Sequence, residues 1–223
     1  MSVISSAVLK RRLFETPDER QRLYVVPILD LEGQIRVGQG AIDVRLGTEF
    51  IFTRRVQLSH IDPYSGAPEE RAQHLKQYQE KIVIGLGSRM ILHPQQFAIG
   101  GTLEYFRLPL DLAGMVVGRS SWGRLGLVIA MATMVHPGYT GVITLELQNL
   151  GDAPIALYPG ARIGQIVFYE ATGNEGIEFK DLHRGAKYVG AISAGFSRIS
   201  EDAERERILR FSQHYREASR FLR

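Results

Sequence analysis

The feature that most constrains this chain is a succession of short apolar segments separated by Gly, Pro and Asp. Turn residues recur roughly every ten positions, and the segments between them are rich in β-branched and aromatic residues. Examples are LYVVPIL, AIDVRLG, QFAIGGTLEYFRLP, MVVGRSS, GVITLELQN and RIGQIVFYEA. Segments of this length and spacing are typical of strands in all-β barrels and sandwiches. The sequence therefore predicts a mainly β fold with a few short helices.

Helices are expected at both ends of the chain and in one polar segment between strands. SSAVLKRRLF predicts a short helix that ends near Thr16-Pro17, and a helix is possible between Pro68 and Glu80. Residues 200–223 begin with a capping Ser200 and carry apolar residues at three-four spacing. We predict a β domain over residues 1–199 and an amphipathic helical extension over 200–223. The extension is expected to pack on its own barrel or a sister subunit, with membrane or partner recognition as alternatives.

Composition excludes several function classes. The 223 residues are 44% hydrophobic, which suits one sizeable core, and 27 basic against 24 acidic residues give a net charge of only +3. The basic C-terminal segment is interrupted by acidic residues and lacks an aromatic stacking platform, so no nucleic acid partner is predicted. With no cysteine, zinc sites built on thiolates are excluded. No apolar run approaches about 18 residues, and a cytoplasmic protein without a membrane segment is expected.

Two groups of residues carry candidate chemistry. In GRSSWGRLGL, the backbone N–H groups, the hydroxyls of Ser120 and Ser121 and the guanidinium of Arg119 can cradle phosphate oxygens, and Arg124 adds a cation. The alternative is a capped turn with surface arginines. In GVITLELQN, strand alternation sets Glu146 on the face opposite Ile143, Leu145 and Leu147. Taken alone, such a glutamate is more typical of a solvated surface position than of catalysis.

These blocks together resemble the dCTP deaminase branch of the trimeric dUTPase superfamily. The similarity is carried by GRSSWGRLGL, HPGYTGVITLELQN, PIALYPGARIGQIVFYE and GAKYVG, with AIDVRLGTEF and LHPQQFAIGGTLEYFRLP in the same order, and it runs from about residue 34 to residue 199. The resemblance implies a distorted β-barrel or jelly-roll subunit of the dUTPase-like type. It also implies a homotrimer whose three sites lie between subunits.

The resemblance implies hydrolysis of the C4 amino group of dCTP, giving dUTP and ammonia, by a hydrolase that breaks a cyclic amidine C–N bond without zinc. Glu146 matches the catalytic glutamate, which would take a proton from the attacking water and deliver protons to N3 and to the departing ammonia. Ser120 would help to hold the water, and Arg124 would orient the glutamate from a neighbouring subunit. Arg119 and Ser121 match the phosphate turn. Mg²⁺ is expected to accompany the triphosphate.

Other matches concern the tail and the strands. Lys187 and Tyr188 in GAKY match the segment that closes over the triphosphate, so they are predicted to bind substrate. Gln165 in RIGQIVF is predicted to be structural, with ligand contact as the alternative. Asp43 and Arg45 in IDVRLG are predicted to form a structural pair.

The chain departs from the family pattern between the turn and the glutamate. His136 stands where the family carries an aspartate that activates water for attack on phosphorus in dUTPases. A histidine can hydrogen-bond the sugar 3′-hydroxyl or serve as a base near neutral pH, but it lacks a permanent negative charge, so dUTP is predicted as product in preference to dUMP. Two alternatives stay open: a nucleotide-binding protein that has lost catalysis and has a regulatory role, and an enzyme for a different pyrimidine nucleotide.

Overall fold

The structure, a computed structural model, describes residues 2–53, 60–64, 69–70, 73, 77–129, 134–174, 190–199, 204 and 206–212. Two compact units are present, one formed by residues 1–53 and 81–195 and the other by residues 54–80 and 196–223. In the second unit, residues 206–212 are helical. Within the described residues, no helix combines the length and the apolar character needed to cross a membrane.

The first unit is built mainly of antiparallel strands. Its helices are short: α1 (Ser6–Phe14), α2 (Leu31–Gln34) and α3 (Ser120–Gly123). The strands are β1 (Tyr24–Val26), β2 (Ala41–Thr53), β3 (Gln79–Val83, from Lys81 onward in this unit), β4 (Met90–Leu92), β5 (Phe97–Arg107), β6 (Leu112–Gly118), β7 (Leu127–Ile129), β8 (Met134–Val135), β9 (Thr140–Asn149), β10 (Ile155–Leu157) and β11 (Arg162–Glu170).

Nine strands form one curled sheet. Its order is β7-β9-β5-β2-β11-β6-β8, with β1 added on β5 and β3 added on β2, while β4 and β10 form a separate pair. Strand β7 at one end of this order lies against β6 near the other end, where a Cβ on Gly118 would contact Ile129 at 3.8 Å. The sheet therefore wraps around its apolar interior, and the predicted mainly β class is confirmed.

The interior of the curl is filled by aliphatic and aromatic side chains from alternating strand positions. Phe50, Phe106 and Phe168 are fully buried, and each such side chain contributes about 1.5–3 kcal/mol by leaving water. The predicted N-terminal helix is present as α1, where the Ser5 hydroxyl accepts from the Val8 N–H at 3.4 Å and Leu9 and Leu13 face the core. The boundary predicted at residue 199 stays a prediction.

Asn149 locks the end of β9 to the loops around it. Its amide nitrogen donates to the carbonyls of Leu92 and Ala153 at 2.9 and 2.8 Å, and its amide oxygen accepts from the Gly151 N–H at 2.9 Å. The side chain is fully buried. Gly126 has a φ of 94°, and a Cβ there would lie 2.6 Å from the Gly151 nitrogen, so the loop that enters β7 packs directly on the loop that leaves β9.

We expect Asn149→Ala to lower the free energy of unfolding by about 3 kcal/mol, because three buried hydrogen-bonding groups lose their partner. The measurement is urea unfolding, with Gln148→Ala as the matched control. Gln148 is the half-buried neighbour on the opposite face, so its replacement should cost no more than about 0.5 kcal/mol. Equal effects of the two changes would contradict the role assigned to Asn149.

A buried polar network joins α2 to the sheet. Gln34 donates to Glu104 at 2.9 Å and to the Asp43 carbonyl at 3.1 Å, while the Arg45 N–H donates to Glu104 at 2.9 Å. Gln34 and Glu104 are both fully buried. Burial raises the pKa of Glu104 to about 7, although the hydrogen bonds from Arg45 and Gln34 act against that rise.

This raised pKa predicts a pH-dependent stability. The folded protein holds the Glu104 proton more tightly than the unfolded chain, so the stabilising contribution is full below pH 4.5 and is lost as pH rises through about 7. Urea unfolding of wild type and Glu104→Gln across this range should show wild type losing stability relative to the variant as pH rises. A pH-independent difference between the two proteins would contradict the assignment.

Candidate functional site

The predicted phosphate turn is a short helix at the end of β6. Arg119 is the N-cap residue of α3, Ser120 and Ser121 form its first turn, and Arg124 is its C-cap residue. Both serines and Arg124 are exposed, whereas Arg119 is partly buried. The first N–H groups of a helix have no acceptor within it, so this turn presents backbone donors together with two hydroxyls and two guanidinium groups.

The turn is held rigidly against β11. The Arg119 N–H donates to the Ile163 carbonyl at 3.2 Å, and the Trp122 indole donates to the Arg162 carbonyl at 2.9 Å. Trp122 also packs against the apolar core. The backbone closes with the Gly123 N–H donating to the Arg119 carbonyl at 3.2 Å. Because β11, the Trp122 indole and the apolar core all hold the turn in place, its hydrogen-bond donors are preorganised.

Glu146 lies on the outer face of β9. Its neighbours Leu145 and Leu147 are fully buried and Glu146 is exposed, so the predicted alternation is confirmed. The strand partner of Glu146 is Ile99 on β5. The Glu146 carboxylate makes no ion pair or hydrogen bond with any residue that the structure describes, so among those residues it has no structural partner.

His136 is exposed and follows β8 directly. Its carbonyl accepts from the Tyr139 N–H at 3.1 Å, which shapes the turn into β9. The Tyr139 hydroxyl donates to the Val142 carbonyl at 2.6 Å, and burial raises the pKa of Tyr139 to about 12. This tyrosine is therefore a structural hydrogen-bond donor that stays protonated at neutral pH.

The sheet register separates these groups within one chain. Val135, next to His136, pairs with Gly114 on β6, and Gly114 lies five residues before Arg119. At about 3.4 Å per strand residue, His136 and the turn are therefore roughly 17 Å apart along β6. Leu127 pairs with Asn149, so Arg124, three residues before β7, lies beyond the end of this ladder that is farther from Glu146. One chain thus presents the turn, the carboxylate and the histidine at different places on its surface.

Comparison with known proteins connects this arrangement with a family. The dCTP deaminase-like family profile matches residues 17–171. The chain belongs to the dCTP deaminase-like family. It is 38% identical over 203 residues to the dCTP deaminase of Natronomonas pharaonis, covering 91% of this chain and 97% of that protein. It is 35% identical over 205 residues to the dUMP-forming dCTP deaminase of Methanobrevibacter smithii, covering 92% of this chain and 98% of that protein.

A solved structure confirms the fold of this dCTP deaminase-like chain. The 2′-deoxycytidine 5′-triphosphate deaminase of Agrobacterium tumefaciens superposes with a TM-score of 0.53 at 20% identity. The match covers 82% of this chain and 51% of that protein, so this chain spans about half its length. At this identity the likeness concerns the fold alone.

The segment that starts at Gly190 is anchored along β9, where the Gly190 N–H donates to the Thr140 carbonyl at 2.6 Å. The Val142 N–H donates to the Ala191 carbonyl at 2.8 Å, and a Cβ on Gly141, whose φ is 142°, would lie 2.9 Å from the same oxygen. Farther along, Ser193 accepts from the Lys81 ammonium at 3.0 Å. The predicted substrate residues Lys187 and Tyr188 lie outside the described residues, three and two positions before this anchored segment.

One sequence prediction about this site is wrong. Asp43 does not pair with Arg45, whose guanidinium instead donates to the Gly160 carbonyl at 2.8 Å. The fully buried Asp43 carboxylate is shared by arginines from other elements, Arg162 at 3.4 Å and Arg119 and Arg36 at 3.8 Å. Gln165 pairs with Asp43 in the strand register, and its predicted structural role stays a prediction.

Proposed function

We propose that this chain is a dCTP deaminase that hydrolyses the C4 amino group of dCTP. Water adds to C4, the C4–N4 bond breaks, and the products are dUTP and ammonia. The observation that carries the proposal is an exposed Glu146 with no structural partner among the described residues, in a chain 38% identical to a protein named dCTP deaminase. A carboxylate without a structural partner is available to move protons.

The proposed roles follow the chemistry of each side chain. Glu146 accepts a proton from water as the oxygen attacks C4, then returns protons to N3 and to the leaving amine. Ser120 positions that water, and Arg124 orients the Glu146 carboxylate and balances the charge that develops. Arg119, with its planar fork of donors, and Ser121 bind phosphate oxygens. His136 faces the sugar, and Lys187 and Tyr188 close over the phosphate chain.

We infer that these groups meet between subunits of a homotrimer. The separation of the turn, Glu146 and His136 along the sheet supports this inference. Further support comes from the apolar side chains beside Glu146, because Phe97 and Val128 are 36% and 38% exposed on strands next to β9. A neighbouring subunit on this face would cover them and would enclose the carboxylate.

Mg²⁺ enters this proposal as part of the substrate. The described residues contain no group of three or more His, Asp or Glu side chains able to hold a metal ion. Asp43, a buried carboxylate near the turn, is surrounded by arginines. The donor set therefore fits phosphate oxygens, and Mg²⁺ bound to a triphosphate keeps several waters and needs few protein ligands.

The proposed product is dUTP. Relatives of this chain include both plain and dUMP-forming dCTP deaminases. His136 stands in place of the aspartate expected from the resemblance, and a histidine cannot supply a permanent negative charge to activate water for attack on phosphorus. This residue favours deamination without loss of pyrophosphate.

The deciding experiment incubates the protein and Mg²⁺ with dCTP and identifies ammonia, dUTP, dUMP and pyrophosphate. We expect ammonia and dUTP in equal amounts. Release of dUMP and pyrophosphate would contradict the product assignment. Tight dCTP binding without ammonia would favour a catalytically inactive nucleotide-binding protein, and turnover only of another cytosine nucleotide would favour a changed substrate.

A further inference from the structure

The residues around Asp43 form a group of which the predicted site included only Arg119. Three guanidinium groups converge on one carboxylate oxygen of Asp43: Arg162 from the start of β11, Arg119 from the turn and Arg36 from the loop before β2. We call these four residues the arginine cluster. Strand pairing creates it, since Gly118, next to Arg119, pairs with Gly164 beside the start of β11.

The cluster carries a surplus of positive charge. Three cations face one anion, and the other Asp43 oxygen is buried without a hydrogen-bond partner. Each arginine nitrogen lies 3.4–3.8 Å from the shared oxygen, too far for short charge-assisted hydrogen bonds. Like charges this close repel one another, and a second anion would relieve that repulsion.

The guanidinium groups are also accessible and retain donors. Their side chains are 45%, 25% and 30% exposed for Arg36, Arg119 and Arg162, although Asp43 is fully buried. Arg162 uses one terminal nitrogen on the Gly33 carbonyl and on Asp43. A guanidinium has five N–H donors, so most of those on Arg162 remain for a ligand.

We propose that Arg162 and Arg36 bind the phosphate chain of the nucleotide together with Arg119, and that Asp43 is the positioning residue that gathers them. This proposal rests on the proposed function only in naming a nucleoside triphosphate as the ligand. A phosphate chain suits the cluster because it spreads several anionic oxygens along its length, and planar arginine forks match phosphate geometry. The site thus extends from the turn across β11 to the loop before β2.

The test compares Arg162→Gln with Arg12→Gln. Arg12 is a matched control because it too contacts one carboxylate, Asp111 at 2.5 Å, and one carbonyl, that of Gln21 at 2.8 Å. Asp111 precedes β6 and Arg119 follows it, so the control lies roughly 25 Å from the turn. Calorimetry with Mg²⁺ gives the Kd of inorganic triphosphate, of dCTP and of deoxycytidine.

We expect Arg162→Gln to weaken binding of inorganic triphosphate and dCTP about tenfold or more, the scale of one lost charged hydrogen bond, and to leave deoxycytidine unchanged. Arg36→Gln, at the most exposed of the three arginines, should act in the same direction and guards against misfolding of the first variant. Asp43→Asn removes the carboxylate that gathers the three guanidinium groups, and this loss of positioning should weaken triphosphate binding although the surplus of positive charge grows. Arg12→Gln should lower Tm and leave all three Kd values unchanged.

The proposal is overturned if triphosphate binds Arg162→Gln and Arg36→Gln as it binds wild type, if Arg12→Gln weakens it equally, or if wild type does not bind it. Ammonia release from dCTP is measured separately. If wild type releases no ammonia from dCTP but its triphosphate binding depends on Arg162 and Arg36, the proposed function is wrong and the arginine cluster stands. If wild type releases ammonia from dCTP but binds triphosphate independently of Arg162 and Arg36, the proposal for the arginine cluster is wrong and the proposed function stands.

Discussion

Replacing Glu146 by Gln should lower kcat for ammonia release from dCTP by about 10²–10⁴-fold and leave KM nearly unchanged. The amide is almost the same size as the carboxylate, but it cannot take a proton from water or return it to N3. Because Glu146 is exposed and has no structural partner among the described residues, the variant should unfold at the same urea concentration as wild type. The measurement is steady-state ammonia release with unfolding measured in parallel.

Glu170→Gln is the matched control for this change. Glu170 is an exposed carboxylate at the end of β11, and its replacement should alter neither kcat nor stability. Undiminished turnover in Glu146→Gln would remove Glu146 from the mechanism. A loss of kcat that follows a loss of stability would instead make Glu146 a structural residue.

Replacing Arg119 by Gln should lower kcat/KM for dCTP by about a hundredfold, mostly through KM. The guanidinium is held beside the buried Asp43 at 3.8 Å and stays 25% exposed, which suits a preorganised phosphate ligand. Arg162 and Arg36 remain to neutralise Asp43, so the fold should persist. Steady-state kinetics with dCTP and with deoxycytidine measures the effect, which should be absent for deoxycytidine.

Arg119→Lys and Arg107→Gln complete this comparison. The lysine keeps the charge without the planar fork, so it should recover part of the loss. Arg107, the last residue of β5, pairs with Glu19 at 3.6 Å and is 40% exposed, and its replacement should leave kcat/KM unchanged. An effect of Arg119→Gln that is equal for dCTP and deoxycytidine would contradict phosphate binding by Arg119.

The long strands could be predicted from the sequence because their alternation is strong. In β9 the period of two places Leu145 and Leu147 in the core and Glu146 outside, as the structure confirms. Strands β7 and β8, with three residues and two, are too short for a periodic signal, and pairing with β9 and β6 creates them. The helix predicted up to Glu80 ends earlier, because Gln79 and Glu80 already belong to β3.

The local part of the candidate site was predictable and its surroundings were not. A turn of Arg119, Ser120 and Ser121 depends on neighbours in sequence, so its motif indicates its shape. The partners of Asp43 depend on strand order. Positions two apart on a strand share a face, which suggested Arg45, but β11 lies beside β2 and brings Arg162 to Asp43 across the sheet.

The central claim is that dCTP is deaminated at a site to which one subunit gives Glu146 and its neighbour gives Arg124. Its most direct test is co-expression of two differently tagged inactive variants, Glu146→Gln and Arg124→Gln, followed by purification of assemblies that carry both tags. In a trimeric ring that contains both variants, one of the three subunit boundaries joins an intact Glu146 to an intact Arg124, so about a third of the sites are restored. The account predicts ammonia release from dCTP by the mixed assemblies and almost none by either variant alone. Mixed assemblies as inactive as the two parents would contradict it.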